Sequence, residues 1–247
     1  MKFSRWLLAL IPALAAADPA TLLEAARIAE ARMDPLGALA CFLQADKEQP
    51  DDPVILQKIA RQYSDLVSDQ AGDEAKRRFA LTALGYAERA VKLAPDNPVN
   101  VLSLAVCHGK LALYSDTRTK VQYCRLVRAE AVRALELDPN YAWAHDVLGR
   151  WNYEVATLGA SSRLFVGLFL GGLPPASTAD AVRELTRATE LEPTELNHWV
   201  ELGFACAAAG ERDAARRHWT RGLAMPTRGK NDEVAKQRAR AALAALD

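Results

Sequence analysis

Four histidines and four cysteines are the side chains here best suited to nucleophilic, acid–base or metal chemistry, and they are scattered. A catalytic or metal site gathers such groups, alone or with carboxylates, at one place. His108, His145, His198 and His218 are spread along the chain, and the first three are expected as packed or hydrogen-bonded histidines within helices. Cys41, Cys107, Cys124 and Cys206 have no C-x-x-C spacing and read as small buried thiols in helical, apolar surroundings. Cys107 and Cys124 lie about equally far from a turn near Ser115–Thr117, so a disulfide between antiparallel helices is an alternative in an oxidising compartment. No G-x-S-x-G, H-E-x-x-H or phosphate-binding glycine loop occurs, and Gly167, Gly171 and Gly172 do not follow a strand. Asp146 and Glu154 flank Arg150 at helical spacing, which an intrahelical ion pair accounts for. The residues therefore predict no catalytic centre, no metal and no cofactor.

The elements that would position these groups are helical. Ala, Leu, Arg and Glu dominate, all strong helix formers. Lys and Arg together number 31, as do Asp and Glu, so no basic excess points to nucleic acid or to an anionic membrane. At the N-terminus, Lys2 and Arg5 precede an apolar run from Trp6 to Ala17 that ends in small residues. That layout predicts a signal peptide over 1–17 and an exported, periplasmic or secreted protein, with the helical domain occupying 18–247. An uncleaved membrane anchor and a plain first helix are the alternatives. Because the first cysteine after the run is Cys41, a lipoprotein-type anchor is not expected.

Aligning the prolines exposes a repeat. Ala45, Ala90, Ala134 and Ala188 each precede Pro50, Pro95, Pro139 and Pro193 by the same interval. Counting on from Pro193 gives Trp199-x-x-Leu202-Gly203 and then Ala215 and Trp219. From Pro139 the count gives His145-x-x-Leu148-Gly149, and from Pro95 it gives Val101-x-x-Leu104-Ala105. Ala38, Phe42 and Ala45 fit the second helix before Pro50. This register resembles the tetratricopeptide repeat, in which small residues let helices approach and larger ones fill the gaps. It implies an all-α, right-handed superhelix of about five helix pairs. The units are 19–52, 53–97, 98–141, 142–195 and 196–228, with a polar capping helix at 231–246. The middle units are stretched. In units two and three the excess reads as longer helices, whereas unit four carries an apolar insert at 161–177.

His145-Asp146-Val147-Leu148-Gly149-Arg150-Trp151, Glu154-Val155-Ala156 and Leu173-Pro174-Pro175-Ala176-Ser177-Thr178 resemble the regulator of microtubule dynamics family, a tetratricopeptide group. Gly109-Lys110, Tyr114-Ser115-Asp116 and Lys120 resemble it as well. The resemblance covers roughly 53–228. It implies a binding scaffold with a lipid or peptide partner and brings no catalytic residues with it.

In tetratricopeptide stacks the concave wall is formed by the first helix of each pair. On this register it holds Val54, Gln57, Arg61, Ser64 and Asp65, then Val99, Leu102, Val106, Gly109 and Lys110. Trp143, Asp146, Arg150, Tyr153 and Glu154 follow, and then Asn197, Val200, Phe204, Ala207 and Ala208. Arg61, Lys110, Trp143, Arg150, Tyr153 and Phe204 are the ligand-binding candidates. They suit a peptide, a partner protein, or an acyl chain with an anionic head. The insert, with Leu164, Phe165, Leu168, Phe169 and Leu170, is expected to fold into this groove against Leu102, Val106, Val200 and Phe204. Contact with a membrane, with a partner groove or with a second copy are the competing readings, the first making the protein a lipid-binding or lipid-transfer protein.

Overall fold

The computed structural model describes residues 18–246, so the expected signal peptide at 1–17 lies outside the described residues. The described chain is built from twelve α-helices, without strands. They are α1 (Pro19–Ala31), α2 (Pro35–Glu48), α3 (Pro53–Leu66), α4 (Gly72–Leu93), α5 (Pro98–Leu113) and α6 (Thr117–Leu137), followed by α7 (Ala142–Ala156), α8 (Ala160–Phe169), α9 (Thr178–Leu191), α10 (Leu196–Ala208), α11 (Arg212–Ala224) and α12 (Asp232–Leu246).

The helix starts are written locally. Proline opens α1, α2, α3 and α5, where its missing N–H removes nothing the helix would use. Just before it, the Asp52 carboxylate accepts from the backbone N–H of Val54 and Ile55, and the Asn97 side chain accepts from Val99 and Asn100. Asp34, Asp116 and Ser177 cap α2, α6 and α9 in the same way. Asp52→Ala is expected to cost about 1 kcal/mol, read as a shift in urea midpoint without a change in slope.

Helices pack as hairpins: α1 with α2, α3 with α4, α5 with α6, α7 with α9, and α10 with α11. Alanines at 38, 45, 83, 87, 90, 131, 134, 181, 188 and 215 are buried, which lets the backbones approach. The closest approaches fall at Gly149 and Gly203. A Cβ on Gly149 would lie 2.6 Å from Leu185 Cγ and 3.2 Å from the Ala181 carbonyl, and one on Gly203 would lie 2.4 Å from the Trp219 ring. The stretching of units two and three sits largely in α4 and α6, of 22 and 21 residues. Their added turns cover a further apolar cluster of Val67, Ala80 and Leu111, flanked by Phe79, Tyr114 and Tyr123.

First helices also touch one another in order, α3 to α5, α5 to α7, α7 to α10, and α10 to α12. This line is the concave wall. α12 therefore covers α10 and α11 as the first helix of a further pair would, and Ala235 and Ala239 join the same core as Trp219.

The curvature brings distant units together. From the α11–α12 loop, Lys230 Nζ donates to the Asp65 carbonyl at 2.7 Å and meets the Asp69 carboxylate, while Asn231 donates to Asp65 Oδ1 at 3.2 Å. Asp232 stiffens that loop by accepting from the N–H groups of Arg228 and Gly229, both at 2.8 Å, and from Asn197 Nδ2 at 3.0 Å. A loop near the C-terminus thus clasps the end of α3 across the groove.

Candidate functional site

The groove floor is more selective than the register suggested. Gln57, Leu102, Asp146 and Val200 occupy equivalent positions, and all but Gln57 are buried between helices. Ser64 is buried too. Open to solvent on the wall are Val54, Val99 and Val106, with Arg61, Arg150 and Glu154 beside them and Ala208 at the far end.

Charge is densest where α3, α5 and α7 face the clasp. Arg150 Nε donates to Glu154 at 3.1 Å, and its Nη1 lies 3.9 Å from Glu201. Glu201 is buried, takes Arg238 from α12 at 2.7 Å, and keeps Oε2 without a hydrogen bond. Arg61 sits 3.9 Å from Asp65. Burial pushes the Asp65 carboxyl upward, against the pull of Arg61, Lys110 and Lys230. Lys110, half-buried near Asp65, differs from these cations: among the described residues it has no hydrogen-bond or ion-pair partner. Burial holds its ammonium below the usual lysine range, and the like charges of Arg150 and Lys230 add to that while Asp65 opposes it. An unpaired ammonium in such a place is ready to take a carbonyl or carboxylate oxygen from a ligand.

The aromatic candidates form the other end. Tyr153 and Phe204 face each other with ring centroids 6.4 Å apart, Phe204 meets Trp219 edge-on at 5.1 Å, and the Arg238 guanidinium lies over Phe204 at 4.6 Å. Trp143 is half-buried and turns edge-on to His198 at 4.8 Å. The structure thus gathers Arg61, Lys110 and Arg150 at one region and Tyr153 with Phe204 at the next, while Trp143 serves the junction between α7 and α10. Lys230, Asn231, Glu201 and Arg238 were absent from the sequence-based set. Arg238 had a usable signal, because a capping helix that continues the line of first helices must also face the groove.

One expectation is corrected. The insert does not fill the groove: α8 packs on none of the helices of the concave wall to any extent, and Leu164, Phe165, Leu168 and Phe169 are 63%, 47%, 69% and 68% exposed. Its anchors lie outside the groove. Arg125 on α6 donates from Nε to the Gly172 carbonyl at 3.0 Å and also binds the Leu170 carbonyl, while Arg163 turns back to the Ala156 carbonyl at 2.7 Å. All four thiols are free, as their main reading had it, with Cys107 and Cys206 buried and Cys41 and Cys124 half-buried; the alternative bridge between Cys107 and Cys124 is not formed. Burial raises Cys107 to about 12, so it stays protonated and unreactive.

Three of the histidines tie helices together. His108 Nδ1 pairs with Glu130 at 2.9 Å, His145 with Glu184 at 2.8 Å and His198 with Asp146 at 2.7 Å, each joining separate helices. No cluster of three or more His, Cys, Asp or Glu able to hold a metal ion occurs among the described residues.

Helical hairpins stacked into a groove-bearing solenoid, with small residues at the crossings, define a tetratricopeptide-type repeat scaffold. The fold is also that of a thermophilic tetratricopeptide-repeat protein from Thermus thermophilus, with a TM-score of 0.67, 19% identity, and coverage of 92% of this chain and 100% of that one. The chain belongs to the regulator of microtubule dynamics family, whose profile, described as regulator of microtubule dynamics protein 1-3, matches residues 22–247. Regulator of microtubule dynamics protein 3 of Rattus norvegicus is 30% identical over 139 residues, or 56% of this chain and 29% of that protein. Regulator of microtubule dynamics protein 2 of Homo sapiens is 25% identical over 210 residues, or 83% of this chain and 51% of that protein. The chain therefore spans between 29% and 51% of the length of these two relatives.

Proposed function

We propose that this protein is a non-catalytic scaffold that holds a peptide segment of a partner protein in its concave groove. The repeat fold supports a protein-binding role, and the observation that carries the groove reading is Lys110, unpaired among the described residues beside the open Val99–Val106 wall. A peptide laid along α3, α5 and α7 places apolar side chains on Val54, Val99 and Val106 and a carbonyl or carboxylate on Lys110. Arg61 and Arg150 stand on either side to take acidic side chains.

A photo-crosslinking amino acid at Val106 is expected to trap a partner that the same probe at Lys92 on α4 does not. Lys110→Ala and Arg150→Ala together are expected to reduce that capture about tenfold, roughly the 1.4 kcal/mol of one or two charge-assisted hydrogen bonds. Equal trapping at both positions, or capture unchanged by the double substitution, would overturn the assignment. An acyl chain with an anionic head is the second ligand class that valines beside cations can accept. Lipid extraction and mass spectrometry of the purified protein separate the two: a stoichiometric lipid would replace the peptide.

A further inference from the structure

The insert is a bulky apolar face that the described residues hold out and leave uncovered. Leu164 and Leu168 are four residues apart, as are Phe165 and Phe169, so all four fall on one side of α8; the two rings touch with centroids 5.2 Å apart. Val166, on the other side, is the residue of α8 that is buried. Such a face costs free energy in water unless something covers it.

Its presentation is built. Gly171 and Gly172 adopt φ of +74° and +72°, a region closed to most other residues, and the turn they make delivers the Leu170 and Gly172 carbonyls to a single guanidinium, Arg125. Arg163 ties the first turn of α8 to the end of α7. The helix is thus fastened at both ends with its apolar side outward.

We propose that α8 docks this protein on an anionic lipid bilayer, lying in the plane of the surface with Leu164, Phe165, Leu168 and Phe169 in the boundary between headgroups and acyl chains. Charge selects this occupant. Residues 155–179 contain no Asp or Glu, and neither does α6 from 117 to 129, which carries Arg118, Lys120, Arg125 and Arg128. Arg125 reaches the insert directly, and Arg118, exposed and two helical turns earlier, lies on the same side of α6. The sequence of the insert supplies one cation, Arg163; folding brings Arg125 against it, with Arg118 on the same side of α6. An apolar face with no carboxylate of its own and with Arg125 and Arg118 beside it is the pattern of an interfacial helix on anionic lipid. At 10 residues α8 is too short to span, and no described helix is long and apolar enough to cross a membrane.

Hydrogen exchange on the full chain reads α8 itself, whatever else contacts the vesicles. Vesicles of phosphatidylcholine with about a third phosphatidylglycerol, set to the charge of an anionic leaflet, are expected to slow amide exchange across 160–173 at least tenfold, and pure phosphatidylcholine to slow it far less. Leu168→Ser with Phe169→Ser is expected to abolish that protection while leaving the helical circular dichroism intact, because both side chains are already exposed. Arg118→Glu is expected to weaken it several-fold, as is 0.5 M salt. Unchanged exchange with anionic vesicles would overturn the proposal. So would equal protection by neutral ones, or protection that appears without vesicles as protein concentration rises, which marks self-association instead.

Discussion

Trp219→Ala is expected to lower the unfolding free energy by about 3–5 kcal/mol, the range for emptying a buried aromatic site. Trp219 is 2% exposed and sits at the centre of the C-terminal core with Leu185, Leu196, Val200 and Ala239. Its indole N–H donates to the Val200 carbonyl at 3.1 Å, and its ring fills the space left by Gly203. Truncation therefore removes packing from α10, α11 and α12 together and takes away the indole hydrogen bond that ties α11 to α10. Urea titration followed by circular dichroism gives the value, and a loss under about 1.5 kcal/mol would show that the site collapses around the gap. Gly203→Ala should also destabilise, from the opposite direction, because its new methyl group would meet a ring that cannot retreat.

The second large effect lies one unit earlier. His198 is fully enclosed, and its Nδ1 meets Asp146 at 2.7 Å, joining α10 to α7. Burial by itself would drive the imidazole toward its neutral form. The hydrogen bond and charge of Asp146, with Glu195 and Glu192, outweigh burial and raise its affinity for a proton. A histidine raised in this way stabilises the folded chain fully at pH below its ordinary value of 6.5, and that contribution fades as pH climbs through the elevated folded-state value. Asp146→Ala is accordingly expected to cost about 3 kcal/mol at pH 5.5, where the buried imidazolium loses its counter-ion, and clearly less at pH 8. His145, raised by its hydrogen bond to Glu184, titrates in the same direction, so the informative quantity is the difference between wild type and variant at each pH. An identical loss at both values would show that the pair acts as a neutral hydrogen bond throughout.

The repeat could be read from the sequence because its signals are local. A proline, a capping Asp or Asn two residues or fewer away, and alanines one turn apart report on a single hairpin whatever surrounds it. Arg61, Lys110 and Arg150 reached the groove region for the same reason, since each occupies a fixed place in a first helix. Leu102, Asp146 and Val200 were misplaced because the rotation of one hairpin on the next decides whether their shared position faces the groove or the neighbouring helix. Lys230 and Asn231 were invisible because their encounter with Asp65 depends on curvature accumulated over several hairpins. The insert failed differently: an apolar run looks alike whether buried or held outward, and Arg125, which decides the matter, lies 45 residues from Leu170 and 47 from Gly172.

The clasp between Lys230, Asn231 and Asp65 has a consequence for how this solenoid can vary. An open repeat array lengthens or shortens by whole units, because each unit meets only its neighbours. Here a contact spanning 165 residues ties the arc into a loop of fixed circumference. One hairpin more or fewer between α3 and α12 would carry Lys230 past Asp65 along the spiral and unfasten it. The clasp in effect counts the repeats, and it couples the end of α3 to the loop that leads into α12.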